Sequence, residues 1–191
     1  SPLAQPRWGH QVALLPDGRV LVIGGRSPEV AVATVELWDP IRETWSMLPP
    51  LQEPREQHTV TALPDGRVLV AGGLRADGST SSRTELWNPR SLTWSDTGPL
   101  QLGRWGHSAT LLTDNRVLVA GGAESGAFFG KILCEAEIWD VATQTWQQTP
   151  ELNSERFGHR AVLLTNGQVL LIGGDMMRGR HEGCLSACEL W

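Results

Sequence analysis

One pattern occurs four times along the chain, and its fixed spacing restricts the fold more than any other feature of the sequence. Each copy contains Arg-x-x-His, an apolar run that ends in two glycines, and Glu-apolar-Trp, and the first three copies continue to a second tryptophan. The glycine pairs are Gly24–Gly25, Gly72–Gly73, Gly121–Gly122 and Gly173–Gly174. The first glycine follows the histidine by 14 residues in every copy. Self-similarity with a period of about 50 residues is typical of repeat architectures such as solenoids and propellers.

The length of the repeat varies in a single segment. The two tryptophans are 7 residues apart, and the second one precedes the next histidine by 13 residues, wherever both occur. The distance from the second glycine to the first tryptophan is 13, 14, 17 and 17 residues. Because one inserted residue would turn a strand's core-facing side chains to the other face, constant spacing predicts packed strands, and variable spacing predicts surface loops. The predicted loops are residues 26–33, 74–82, 123–133 and 175–187.

Each repeat is predicted to form four strands. In the first repeat these are His10–Leu15, Val20–Gly24, Val35–Trp38 and a fourth strand centred on Trp45. Pro16-Asp17-Gly18 lies between the first two strands and favours a hairpin, since proline presets φ and glycine accepts a positive φ. The first two strands are apolar at nearly every position, so both of their faces should be covered. Four short antiparallel strands per repeat are typical of a β-propeller blade.

The double glycine, the Glu-apolar-Trp and the second tryptophan together resemble the Kelch repeats of bacterial proteins, over essentially the whole chain. The resemblance implies an all-β, Kelch-type β-propeller with four blades of four-stranded antiparallel sheets. The first repeat begins after a fourth strand and the last ends before one, so we expect the last blade to lack its outer strand. We therefore expect residues 1–191 to form one propeller segment that is part of a larger ring. The predicted repeats are approximately 1–48, 49–97, 98–149 and 150–191.

The residues that recur in each copy are predicted to be structural rather than functional. Opposite charge suggests that a glutamate of one repeat binds the arginine of the next, as in Glu36 with Arg55, Glu85 with Arg104 and Glu137 with Arg156. This interpretation leaves Glu189 without an arginine partner. The recurring set is Arg7, His10, Glu36, Trp38, Trp45, Arg55, His58, Glu85, Trp87, Trp94, Arg104, His107, Glu137, Trp139, Trp146, Arg156 and His159.

The four recurring histidines could in principle converge on an axis and hold a metal ion. A residue that recurs in every blade is better explained by a role in the blade, because metal and catalytic sites are asymmetric. We therefore predict that each histidine hydrogen-bonds to backbone of its own or the adjacent blade, and we predict no metal site and no cofactor.

Composition excludes several functional classes. The net charge is −5, from 16 basic and 21 acidic residues, which argues against nucleic-acid binding. No apolar run approaches the roughly 18 residues that span a membrane. No nucleophile–base pair or carboxylate pair occurs outside the recurring positions, so we predict that the protein is not an enzyme. Some Kelch-like propellers are copper radical oxidases, which the resemblance does not support because the chain has no tyrosine.

The remaining function is binding, through the residues that differ between repeats. Trp8 and Trp105 occur in Arg-Trp-Gly-His, where the other repeats have Glu56 and Phe157, and could serve as stacking platforms. Aromatic, methionine and arginine side chains in the variable loops are typical interface anchors, and in the Kelch family these loops lie on the ligand-binding face. The alternative is that they only cover the surface. The predicted contact residues are Trp8, Arg26, Arg75, Trp105, Phe128, Phe129, Lys131, Met176, Arg178 and Arg180.

We therefore predict a non-catalytic scaffold that presents its variable loops to a protein or glycan ligand. Two alternatives stay open. One is a sugar-active, epimerase-like propeller enzyme. The other is a propeller fragment that completes a ring by association into a homo-oligomer, because an open arc would expose apolar blade faces. The resemblance to bacterial repeats implies an extracellular or cell-surface location.

Overall fold

The computed structural model describes residues 2–124, 130–178 and 181–191, with backbone alone for residues 177, 178, 181 and 182. The described part is all-β, as predicted. Its strands form three four-stranded antiparallel sheets, one three-stranded sheet and one two-stranded hairpin. Within these residues there is consequently no helix of the length and hydrophobicity that a membrane crossing requires.

The four larger sheets follow one another along the chain, and we number them as blades. Blade 1 contains β1 (Gln11–Leu14), β2 (Val20–Ile23), β3 (Val35–Asp39) and β4 (Thr44–Leu48). Blade 2 contains β5 (Thr59–Ala62), β6 (Val68–Ala71), β7 (Thr84–Asn88) and β8 (Thr93–Thr97). Blade 3 contains β9 (Ser108–Leu111), β10 (Val117–Ala120), β11 (Ala136–Asp140) and β12 (Thr145–Gln148).

Blade 4 has three strands in its sheet and lacks an outer fourth strand, as the sequence predicts. Its strands are β13 (Arg160–Leu163), β14 (Val169–Ile172) and β17 (Cys188–Leu190). The segment predicted as a plain loop, residues 175–187, instead contains a hairpin of β15 (Asp175–Arg178) and β16 (His181–Cys184). A variable segment of this length can fold back on itself, and pairing of the two halves satisfies its backbone N–H and C=O groups.

The blades are arranged side by side, with their first strands adjacent. β1 contacts β5, β5 contacts β9, and β9 contacts β13. In each blade the strands pair antiparallel with their neighbours in sequence order, so the second, third and fourth strands lie progressively farther from this line. The four sheets are therefore arranged as consecutive propeller blades. We call the face of a blade that points along the series toward the next blade its rear face, and the opposite face its front face.

The hydrophobic core lies between the blades. Between blades 1 and 2, the rear-face residues Leu21, Ile23 and Leu37 pack against the front-face residues Val70 and Trp87. Equivalent clusters join blades 2 and 3 and blades 3 and 4. Both middle strands β6 and β10 are buried at every position. The expectation that first strands are covered on both faces is wrong for β1 and β13, because each has no neighbouring blade on one side.

The double glycine lies where consecutive blades approach each other most closely. Gly72 has a φ of 65° and Gly73 a φ of 103°, both in the left-handed region. A Cβ on Gly72 would lie 2.5 Å from the carbonyl oxygen of Arg104 and 2.7 Å from His107 Cε1, both of the next blade. The glycines are therefore required by backbone conformation and by the close approach of blades.

Candidate binding face

A buried arginine–glutamate pair fixes the segment that enters each blade. In blade 2, Arg55 donates from Nη2 to Oε1 of Glu85 at 2.8 Å, and from Nη1 to the carbonyl oxygens of Gly72 at 3.0 Å and Arg83 at 2.8 Å. The other oxygen of Glu85 accepts the backbone N–H of Gln52 at 2.8 Å. The pair therefore holds the entering segment against the double glycine and β7, and we call this arrangement the clamp.

The same clamp occurs in every blade. The corresponding Nη2–Oε1 distances are 2.5 Å for Arg7–Glu36, 2.7 Å for Arg104–Glu137 and 3.0 Å for Arg156–Glu189. Each of these side chains is at least nine-tenths buried. Burial of the two charges is tolerated because they are of opposite sign and in contact, and because each side chain makes further hydrogen bonds.

The predicted pairing between successive repeats is wrong. Each arginine binds the glutamate that follows it within its own blade, so Glu36 binds Arg7 and not Arg55. In the same way, Glu85 binds Arg55 and Glu137 binds Arg104. Glu189, which was expected to lack a partner, binds Arg156. The reason is topological, since the third strand of each blade returns to lie beside the segment that enters that blade.

Burial affects the ionisation of the clamp in both partners. Burial raises the pKa of Glu85, against the opposing effects of the Gln52 amide and the Arg55 charge. Burial also lowers the pKa of Arg55 and of Arg104, against the opposing charges of Glu85 and Glu137. Arginine remains charged at any ordinary pH, so the clamp is an ion pair with a structural role and offers no free acid or base.

The entering segment is also bonded to the preceding blade. Leu51 N–H donates to the carbonyl of Ala33 at 2.9 Å, and Arg55 N–H donates to that of Val32 at 3.3 Å. In return, Gly25 N–H donates to the carbonyl of Arg55 at 2.9 Å. The connections between blades are therefore held on both sides and form a rigid base for the loops above them.

The recurring histidines link neighbouring blades through hydroxyl groups. Nε2 of His107 lies 2.9 Å from Oγ1 of Thr59, and Nε2 of His159 lies 2.9 Å from Oγ of Ser108. For His159 the prediction of a backbone partner is wrong, because the first residue of the preceding blade's first strand offers a hydroxyl at this level. His107 contacts both such a hydroxyl and the backbone of Ala71 in the preceding blade. Burial, reinforced by the nearby arginine of the same blade, lowers the pKa of His58 to about 3 and that of His159 to about 4.

A cluster of three potential metal-ligand atoms occurs elsewhere, on Cys134, Glu135 and Glu151, which lie within 4.8 Å of one another. Lys131 already binds Glu135. Burial and the two carboxylates raise the pKa of the Cys134 thiol, whereas metal binding requires the thiolate. The cluster therefore has the ligand types of a metal site, and Lys131 already neutralises one of its carboxylates.

The segments that precede the first strands lie beside the starts of the variable loops. Trp8 pairs with Arg26 through two backbone hydrogen bonds of 2.8 and 3.0 Å. Equivalent bridges join Glu56 to Leu74, Trp105 to Ala123 and Phe157 to Asp175. We call the surface formed by Trp8, Arg26, Glu56, Trp105 and Phe157 the loop face.

The loop face contains two distinct side-chain groups. In the first, Arg26 donates to Oε1 of Glu56 at 2.9 Å, and its guanidinium carbon lies 6.0 Å from the ring centre of Trp8. Trp8 is 55% exposed, whereas Glu56 is buried. In the second group, the rings of Trp105 and Phe157 are 5.5 Å apart and both are half-buried. The first group thus combines the exposed ring of Trp8 with the Arg26 guanidinium, which the buried carboxylate of Glu56 holds in place.

The other predicted contact residues either make contacts within their own blades or lie outside the described residues. Arg75 binds Glu53 at 2.5 Å, Lys131 binds Glu135, and Met176 is half-buried in β15. Arg178 is described by its backbone alone, and Phe128, Phe129 and Arg180 lie outside the described residues. Glu56 and Phe157 are not among the predicted contact residues, although both occupy the position of Trp8 and Trp105 before the histidine.

Comparison with protein families agrees with this architecture. The family model described as the KLHDC2/KLHL20/DRC7 Kelch-repeats domain matches residues 9–188. A search of curated proteins finds no match to the chain. Kelch-repeat domains typically bind proteins and are generally non-enzymatic scaffolds. The matched region includes all four glycine pairs and extends from the entry to blade 1 into β17, and the chain belongs to the Kelch-repeat family.

Proposed function

We propose that this chain is a non-catalytic scaffold that binds a protein ligand at the loop face, with Trp8 and Arg26 as the main contacts. The observation that carries the proposal is the exposed ring of Trp8 beside a guanidinium that Glu56 holds in place. Tryptophan and arginine are the residue types that dominate the binding energy of protein interfaces. Both are supplied here by adjacent, backbone-paired positions.

The rigidity of the site supports binding rather than catalysis. Ordering of flexible side chains on binding reduces affinity, so residues that are already oriented bind more tightly. Arg26 is oriented by Glu56, and the backbone beneath it is paired with that of Trp8. The arginine–glutamate clamps are internally satisfied, and Arg75 is engaged by Glu53. These groups support the fold and do not form the acid–base pocket that an epimerase-like enzyme would need.

A glycan is the second candidate ligand, and the same observation favours it. An exposed tryptophan ring can stack on the apolar face of a sugar, and the Arg26 guanidinium can donate hydrogen bonds to hydroxyl groups.

The extracellular or cell-surface location stays a prediction from the resemblance. Association into a larger ring would use the faces of the end blades, so it is compatible with binding at the loop face.

The test is selection of binders to the purified chain from a random peptide display library, in parallel with a glycan array. We expect selected peptides to lose at least tenfold in affinity against Trp8→Ala and Arg26→Ala. Ile41→Ala is the matched control, because Ile41 is 90% exposed but lies in the turn between β3 and β4, at the other end of blade 1. Binders that are indifferent to both loop-face variants would refute the proposal, and binding on the glycan array alone would favour the second candidate.

A further inference from the structure

One residue of blade 2 has a backbone conformation that its own side chain disfavours. The residue directly before the recurring histidine is glycine in the other three blades, with φ values of 63° at Gly9, 61° at Gly106 and 66° at Gly158. Blade 2 has Gln57 at this position, with a φ of 52°. An L-residue loses free energy in this left-handed region, and glycine does not. Glycine would therefore suit the backbone in all four blades, and the glutamine of blade 2 needs a separate explanation.

The other non-glycine residues with a positive φ are explained by their turns. Asn115 lies in the hairpin turn of blade 3, and asparagine tolerates the left-handed region better than most residues. The rest recur two residues before the tryptophan of the fourth strand, so they belong to the repeat itself. They are Glu43, Leu92 and Gln144. Gln57 occurs in one blade alone, and strained backbone of that kind is concentrated at functional sites.

The side-chain amide of Gln57 makes no hydrogen bond within the described ranges, 2–124, 130–178 and 181–191. Its neighbour Glu56 has a buried carboxylate oxygen, Oε2, that also lacks a partner there, so Gln57 does not satisfy Glu56. The backbone N–H of Gln57 donates to the carbonyl of Gly9 at 3.0 Å. This bond needs no side chain, because Gly158 makes the equivalent bond to Gly106. The fold therefore does not explain the glutamine.

Gln57 lies beside the first group of the loop face. A Cβ built on Gly9 would lie 3.8 Å from Cγ of Gln57 and 3.3 Å from Oε2 of Glu56. The Gln57 side chain thus lies against Gly9, which directly follows the exposed Trp8 in the chain. Gln57 itself is partly exposed, and blade 2 has a neighbouring blade on each side. An amide without a partner is therefore available to a molecule that packs on Trp8.

We propose that Gln57 is a specificity-determining contact, which hydrogen-bonds the main chain of a peptide segment packed on Trp8. The glutamine amide offers a carbonyl acceptor and two N–H donors. A residue in an extended peptide presents its own N–H and carbonyl on the same side, so the two can pair through two hydrogen bonds. This inference rests on the proposed function, and it names the chemical group that the loop face recognises. The strain at Gln57 is retained because the side chain binds the ligand.

The stability test compares two glutamines with the same backbone conformation. Gln57→Gly and Gln144→Gly each remove a partly buried side chain at a positive φ, of 52° and 56° respectively. Relief of the left-handed strain should at least offset the greater freedom of glycine in the unfolded chain. We therefore expect both variants to unfold at the urea midpoint of the wild type or at a higher one.

The binding test uses peptides selected against the wild-type chain from the display library. We expect Gln57→Gly and Gln57→Met each to weaken these peptides about tenfold, the effect of two lost hydrogen bonds of ordinary net strength. Methionine keeps the backbone strain and the length of the side chain but removes the amide. Gln144→Gly is the matched control and should leave the affinity unchanged, because Gln144 lies in the turn between β11 and β12, at the end of blade 3 away from the loop face.

Methylation of single main-chain nitrogens in a selected peptide identifies the group that Gln57 binds. At one position the N-methyl peptide should bind the wild type about fivefold more weakly than the parent peptide does, because one hydrogen bond is lost. The same N-methyl peptide and its parent should bind Gln57→Met equally well, since the variant has no amide left to lose a bond.

Several results would overturn the inference. If Trp8→Ala weakens the peptides but Gln57→Gly and Gln57→Met do not, this inference fails and the proposed function stands. A urea midpoint that falls for Gln57→Gly but not for Gln144→Gly would show that Gln57 serves the fold. An N-methyl scan in which no position is coupled to Gln57 would exclude the main chain as its partner. Peptides indifferent to Trp8→Ala, or a library without binders, would refute the proposed function and this inference together.

Discussion

Trp38 and Trp87 occupy the same position in two blades but have different environments. Both precede the turn into the fourth strand and both face the tryptophan of that strand, in the pairs Trp38–Trp45 and Trp87–Trp94. Trp87 is fully buried against blade 1, whereas Trp38 is only partly buried on the front face of blade 1. The burial of a blade residue therefore depends on the neighbouring blade more than on its own sheet. As in other repeat architectures, the interfaces between neighbouring units contribute to the stability of the whole.

The largest expected effect concerns these two tryptophans. We expect Trp87→Ala to lower the free energy of unfolding by about 4 kcal/mol, because it removes a fully buried indole and leaves a cavity between blades. Trp38→Ala should cost about 1–2 kcal/mol, since its ring is partly exposed and no neighbouring blade covers it. Both values are to be measured by urea denaturation at a concentration at which the wild type is monomeric. Equal losses for the two variants would show that burial by the neighbouring blade does not control stability.

The second expected effect separates buried from exposed charge. Glu85→Ala removes the 2.8 Å partner of the buried Arg55 guanidinium and leaves it with Glu53 at 3.2 Å as its remaining carboxylate, and should cost about 3 kcal/mol. Arg67→Ala removes the 2.7 Å ion pair to Asp65 at a hairpin turn, where both side chains contact water, and should cost less than about 1 kcal/mol. Thermal or urea melts of both variants measure the difference. An unchanged melting temperature for Glu85→Ala would exclude a stabilising role for the clamp.

The third expected effect concerns the first glycine of two of the glycine pairs. Gly72 and Gly173 have similar φ values of 65° and 62°, so alanine suffers similar backbone strain at either position. At Gly72 the added Cβ would also meet the next blade, whereas at Gly173 the nearest heavy atom is the Leu185 carbonyl oxygen at 3.3 Å. We expect a loss of about 3 kcal/mol for Gly72→Ala and about 1 kcal/mol for Gly173→Ala.

The difference between the two alanine variants isolates the crowding by the next blade, because the cost of a positive φ is common to both. Denaturant titrations under identical conditions provide it. If Gly173→Ala proves as harmful as Gly72→Ala, backbone conformation alone explains the double glycine, and the close approach of blades is not limiting.

Local features of the fold could be predicted from the sequence, because the signals are themselves local. Pro64-Asp65-Gly66 marks a hairpin turn, and the constant 14-residue spacing from His58 to Gly72 fixes two strands around it. The hairpin of β15 and β16 could not be predicted in the same way. Variable spacing indicates where a loop lies but carries no periodic signal for the structure within it.

The partners of charged residues were less predictable, since they depend on which segments the topology brings together. Glu36 is nearer to Arg55 than to Arg7 in the sequence, yet it binds Arg7 because β3 returns beside the segment that enters blade 1. The loop face illustrates the same limit. Glu56 differs from the aromatic residues at its equivalent positions, but its role in holding Arg26 beside Trp8 emerges only in three dimensions.

The smallest effect per group concerns pH and again depends on the blade interfaces. Burial between blades lowers the pKa of His58 to about 3 and that of His159 to about 4, and lowers the pKa of His107 well below its usual value. The unfolded chain binds a proton at each of these histidines near pH 6.5, whereas the folded chain does so only at lower pH. The stability that these neutral histidines contribute is therefore present above about pH 6.5 and is lost as the pH falls toward their folded pKa values.

We expect each of these histidines to reduce the free energy of unfolding by about 1 kcal/mol between pH 7 and pH 5.5. Urea denaturation at a series of pH values measures the total, and imidazole proton resonances show whether the folded protein titrates. Between pH 7 and pH 9 stability should change little from this source, because the histidines are then neutral in both states. Resonances assigned to His58, His107 or His159 that titrate near pH 6.5 in the folded protein would show that water reaches these histidines, and that the blades are not packed as tightly as Trp87 and Gly72 indicate.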